Sequence, residues 1–257
     1  MTPSPHDRQA TPSPSGQPGA GAGRSDGAKE AQGRAPASRR NALTEWLDPS
    51  LLDENDPDKR HIELDIYDPA CPNQPAYSAD FIDRFRAEQI ARNRRITATV
   101  QQKLEDFRRQ GLHQEEFGFI VHRTMCDVRW LDPSVDSNER KPGWCYLGDP
   151  RVVNNGPVAL ARFNTLRGWM SQWSFDHSNA NGLTAAPRIS VPALVIGNTA
   201  DDACTPSHTH RLFEAFRHSN KTLKEVKGAN HYYFGQNDKL AEAVGYCRDW
   251  LSQQNLA

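Results

Sequence analysis

What this 257-residue chain lacks narrows its roles before any motif is read. No apolar run approaches the roughly 18 to 20 residues that a spanning helix needs, so no membrane segment is expected. The 31 Lys and Arg residues balance 32 Asp and Glu. That balance leaves no global electrostatic case for nucleic acid or an acidic membrane surface as partner. Cysteines are few and odd in number: five, at positions 71, 126, 145, 204 and 247, with no Cys-x-x-Cys pair. Such usage predicts reduced thiols in a cytoplasmic protein, not a disulfide framework or a zinc site. The opening Met1-Thr2-Pro3-Ser4-Pro5 has neither the basic start nor the apolar centre of a secretory signal. Mean hydropathy is low, −0.77, which predicts that part of the length does not fold.

Composition places that part at residues 1–40, where Pro, Gly, Ser and Ala dominate and no large apolar residue follows Met1. Such a stretch buries too little surface to offset its ordering entropy, so a disordered tail is predicted. Two further segments are expected: a mainly helical region over 41–187 and an α/β region over 188–257.

The first stretch of the helical region, 41–77, is acidic and irregular, and its repeated Asp-Pro pairs favour turns. Ser78 predicts an N-cap for a long helix closed by Gly111. Its apolar residues Phe81, Phe85, Ile96, Val100, Leu104 and Phe107 recur at helical steps, interrupted by Arg92, Asn93, Arg94 and Arg95. Residues 117–122 predict a short strand, and 126–156 a long aromatic and proline-rich loop region. Pro157 suits the first turn of another helix with Leu160, Phe163, Met170 and Trp173 on one face. In the α/β region, strands are predicted at 193–197 and 222–226. Helices are predicted at 208–216 and 239–253, the last with Leu240, Ala243, Val244, Cys247 and Leu251 on one face. Two tandem strand–helix units argue for a piece of doubly wound parallel sheet. Two strands alone do not make a stable open sheet, so the sheet is expected to be incomplete.

The segment Ile189-Ser190-Val191-Pro192-Ala193-Leu194-Val195-Ile196-Gly197-Asn198-Thr199-Ala200-Asp201-Asp202 leads a strand into a turn rich in carboxylates. Gly228-Ala229-Asn230-His231 follows about thirty residues later, after a helix and a second strand. Together these resemble the last third of an α/β-hydrolase, in which an acid and then a histidine complete a Ser-His-Asp triad. The resemblance implies that Asp201 is the acid, with Asp202 the alternative, and that His231 is the general base. Taken without the family, a pair of acids after a strand also serves simply to cap a turn. No cofactor is implied. A metal-dependent hydrolase built on Asp201 and His231 is set aside because no third ligand stands at sensible spacing.

The nucleophile is what the sequence does not supply. One Gly-x-Ser-x-Gly exists, Gly23-Arg24-Ser25-Asp26-Gly27, but no apolar strand precedes it and no amphipathic helix follows. Cys126, Cys145, Cys204 and Ser207 are the remaining nucleophiles of interest. None sits on a strand–turn–helix elbow, and each reads as a packed thiol or a capping hydroxyl. His208 and His210, two residues apart at a helix start, read as solvated helix-end residues. By resemblance, 41–187 corresponds to a large lid, with Trp130, Trp144, Tyr146, Arg162, Arg167, Trp169 and Trp173 as either pocket lining or lid core. The expectation is therefore a truncated esterase or acyl hydrolase acting, in complete relatives, on small-molecule esters. The rival is a non-catalytic interaction module whose half-sheet edge self-associates or pairs with a partner that supplies the missing core.

Overall fold

The computed structural model describes residues 39–255. The predicted tail up to residue 38, and Ser25 with it, lies outside the described residues. Arg39 and Arg40, grouped with the tail by composition, instead open helix α1 (Arg39–Trp46). Their guanidiniums donate to Gln172 Oε1 (2.6 Å) and to the Phe175 carbonyl (2.8 Å). The segment after α1 forms a short antiparallel hairpin, β1 (Leu51–Asp53) with β2 (Asp56–Arg60).

Helix α2 (Ala79–Arg109) starts where Ser78 accepts the Phe81 N–H at 3.2 Å and ends beside Gly111, whose φ is +75°. Residues Phe81, Phe85, Ile96 and Val100 are buried along it. The charged interruption at residues 92–95 has a physical role that periodicity does not show. Arg92 is fully buried on the packed face, clamps Glu54 with two hydrogen bonds of 2.8 Å, and donates to the carbonyls of Asp48, His122 and Arg123. Gln89 likewise donates to the carbonyls of Glu45, Leu47 and Cys126. These side chains add hydrogen bonds to carbonyls of the neighbouring segments, groups that cost about 1–3 kcal/mol each when buried unpaired.

Strand β3 (Gly118–Ile120) forms as expected. The predicted loop region contains two short helices, α3 (Val128–Leu131) and α4 (Pro150–Asn155), each capped by an aspartate. The helix expected from Pro157 is corrected. Residues Phe163–Thr165 form strand β4, antiparallel to β3, and only Leu166–Gln172 is helical (α5). Pairing with β3 outweighs a coincidental helical spacing of Leu160 and Phe163, and Thr165 caps the helix by accepting the Gly168 N–H. Trp169 and Leu166 from α5 close one core with Leu43, Leu47, Ile96, Val100 and Val121.

Past the short helix α6 (Gly182–Ala185), β5 (Ala193–Asn198), α7 (Pro206–Ala215), β6 (Lys221–Val226) and α8 (Asn237–Gln253) follow. Strands β5 and β6 are parallel, in register from Ala193 opposite Lys221 to Asn198 opposite Val226. The fold is thus mixed α/β. Among the described residues its strands form three separate two-stranded sheets.

Candidate active site

Parallel strands end at the same side, so the turns after β5 and β6 lie together. Backbone bonds tie them: the Thr199 N–H donates to the Val226 carbonyl and the Ala200 N–H to the Ala229 carbonyl, both at 3.1 Å. Asn198 reinforces the join. Its amide donates to the Asn230 carbonyl at 2.9 Å and its oxygen accepts the Tyr233 hydroxyl at 2.8 Å. The second turn needs a left-handed residue, provided by Gly228 at φ +70°.

On this platform Asp201 and His231 meet. The His231 Nδ1 lies 3.1 Å from each Asp201 carboxylate oxygen, and the two side chains are 26% and 8% exposed respectively. Asp201 Oδ1 also accepts the backbone N–H groups of Ala203 (2.8 Å) and Cys204 (2.7 Å), which fixes the carboxylate. The neighbouring Asp202 plays a different part. Its carbonyl accepts the Trp130 indole N–H at 2.6 Å, while burial and then the Asp201 charge raise its carboxyl above the usual range.

Cys204 also joins the pair, although the sequence reading took it for a packed thiol. Ligating atoms of Asp201, Cys204 and His231 all lie within 4.8 Å of one another. Burial pushes the Cys204 thiol up, but hydrogen bonding with His208 and His231 outweighs it and leaves the thiol below its ordinary value. Burial likewise disfavours the His231 charge. Hydrogen bonds with Asp201 and Cys204 prevail and raise the ring to about 10. Thus a third candidate metal ligand does exist, contrary to the sequence expectation. The Asp201 carboxylate, however, is already occupied by two backbone N–H groups and the imidazole. The arrangement is that of a hydrogen-bonded acid–base cluster.

The surroundings sort the other candidates. Ser207 donates to Asp136 at 2.6 Å. Cys126 and Cys145 are fully buried, and burial raises both thiols, Cys145 to about 11. His210 is exposed as expected. His208 is buried instead, with Nε2 2.7 Å from the Arg129 guanidinium. Of the aromatic residues singled out, Trp130, Trp169 and Trp173 are core, and Trp144 lies exposed under Lys141. Tyr146 reaches the site, with its ring 5.6 Å from His231, and Tyr232 stands at 4.6 Å on the ring's edge. Arg162 is buried against the carbonyls of Val153 and Asn154, and Arg167 is tied to the carbonyls of His113 and Glu115.

A buried carboxylate bonded to a partly exposed imidazole, at the carboxyl ends of parallel strands, is an arrangement that can orient a general base. The chain is 26% identical over 128 residues to the monoglyceride lipase of Mus musculus, an α/β-hydrolase. The match covers 49% of this chain and 39% of the relative's own length. No family model matches, and no solved structure matches.

Proposed function

We propose that this chain carries the acid–base part of an esterase or acyl-hydrolase site of the α/β-hydrolase kind, for a small-molecule ester. The observation that carries the reading is the Asp201–His231 contact at the joined ends of β5 and β6. In this reading Asp201 fixes the imidazole's orientation. His231 takes a proton from an attacking hydroxyl and returns it to the leaving alkoxide. The ring is hydrogen-bonded to Asp201, the Cys204 sulfur lies within 4.8 Å of the pair, and among the described residues no serine bonds the ring. That supports a site without its serine nucleophile, with 41–187 as the lid-like part.

The test is labelling of the folded chain with a serine-directed fluorophosphonate, the modified peptide being mapped and His231→Ala run in parallel. No labelled serine is expected. Labelling at Ser25 that disappears in His231→Ala would replace this reading with a complete hydrolase. Silence towards the probe, combined with association through the free edges of β5 and β6, would favour an interaction module.

A further inference from the structure

The thiol of Cys204 stands where the described residues place no serine, beside the imidazole that Asp201 orients. We propose that Cys204 is a nucleophilic thiol that accepts an acyl group from ester substrates, with His231 as its proton partner. The proposal rests on the acid–base reading of Asp201 and His231, but not on the hydrolase family.

Three features of placement support it. Cys204 lies three residues after Asp201 in the same turn, so its backbone N–H, bonded to Asp201 Oδ1, holds the residue against the acid–imidazole pair. It immediately precedes Thr205, the N-cap of the ten-residue helix α7, where the helix dipole favours a thiolate. It is partly exposed, unlike Cys71, Cys126 and Cys145. Also facing or adjoining the pair are the titratable groups of Asp202, His208 and Tyr146. Beyond them lie Arg129 and Glu45, at His208. Tyr146 and the largely exposed Tyr232 flank the imidazole and offer apolar surface to a small acyl or aryl group.

The step balances without a co-reactant. The Cys204 Sγ lone pair forms a bond to the ester carbonyl carbon, and the acyl C–O bond breaks. His231 gives its proton to the departing alkoxide, leaving a thioester on Cys204. Water then attacks the thioester and passes a proton to His231. The C–S bond breaks and the thiolate–imidazolium pair is restored.

Cys247, exposed on α8, provides an internal reference thiol. The folded chain is treated with p-nitrophenyl acetate at neutral pH in the presence of EDTA. Thioester at each cysteine is then mapped by mass spectrometry and checked by its cleavage with neutral hydroxylamine. Iodoacetamide alkylation is followed in parallel. Cys204 should react at least about tenfold faster than Cys247 in both assays, as expected of an activated thiol. His231→Gln should abolish that ratio while leaving the Cys247 rate unchanged, and Cys204→Ser should remove the thioester. Reaction at Cys126 or Cys145 would report unfolding, in which case Asp201→Asn replaces His231→Gln as the variant that must lower the ratio. Equal rates at Cys204 and Cys247, rapid alkylation with neither thioester nor Cys204-dependent p-nitrophenol release, or a ratio unaffected by either variant would overturn the proposal. If ester turnover depends on His231 while the Cys204 ratio does not, the thiol proposal fails and the hydrolase reading stands. A serine labelled by the fluorophosphonate in a His231-dependent way would overturn both, because the imidazole would then serve that serine.

Discussion

The His231 ring holds its second proton at neutral pH, because the hydrogen bonds with Asp201 and Cys204 outweigh its burial and raise it to about 10. A general base must be neutral, so turnover that relies on this ring as base should increase with pH up to that region. For stability the sign runs the other way. A cation favoured by folding contributes fully below the ordinary value of 6.5, and the contribution is lost as pH rises through about 10. NMR titration should find the ring well above 6.5, lower in Cys204→Ser and lower still in Asp201→Asn; an ordinary titration in the native chain would refute the pairing. Asp201 and His231 were singled out in the sequence by resemblance to the α/β-hydrolase pattern, each in a turn after a predicted strand, and the structure brings the two side chains together. Cys204 lay in the same turn, but its contact with His231 depends on the parallel pairing that brings the second turn across. A thiol three residues after the acid, at the mouth of a helix, was the available signal.

Strand β5 and helix α7 touch at a glycine. A Cβ added to Gly197 would lie 2.9 Å from the Thr209 Cγ2 methyl, and Thr209 is β-branched, with little freedom at χ1 to retreat. Gly197→Ala should therefore push α7, and Cys204 at its entrance, away from β5. The cost should be about 1–3 kcal/mol, as for other overpacked sites. Chemical denaturation measures this, and Gly197→Ala combined with Thr209→Ser should recover most of the loss. Full loss in the double variant would mean that the helix contact is not the cause. Elements defined by local chemistry were legible: the Ser78 cap, the Gly111 stop and the strand–helix alternation from Ala193 onward. Strand β4 was not, because its partner β3 lies more than forty residues earlier and a strand of three residues leaves little periodicity to read. The buried face of α2 at Gln89, Arg92 and Asn93 was equally hidden. Only the positions of loop carbonyls explain why polar side chains sit there.

Across the whole described molecule, the helical part and the β5–α8 part are held together by polar contacts converging on the turn after β5. Asn138 donates to the Asp201 carbonyl (2.8 Å), the Glu139 N–H donates to the Thr199 carbonyl (2.9 Å), and Trp130 donates to the Asp202 carbonyl (2.6 Å). At their centre Arg129 from α3 bonds Asp127 and Glu45 and reaches Thr205 and His208 of the opposite part. Burial opposes the charge on Asp127, yet Arg129 and Arg86 hold its carboxyl far below the ordinary range, so the group stays ionised inside. Removing the guanidinium strands the buried Glu45 and leaves Asp127 with Arg86 alone. Breaking a buried pair in this way costs about 3–5 kcal/mol, whereas replacing all its members by apolar groups need not. Arg129→Ala should therefore lower stability by that amount in chemical denaturation. It should also loosen the turn that carries Asp201 and Cys204, raising amide exchange at Ala203 and Cys204. If Arg129→Ala costs less than about 1 kcal/mol, the range of exposed ion pairs, then the two parts are joined by apolar packing around Trp46, Trp130 and Ala203 and the buried charges are incidental to their docking.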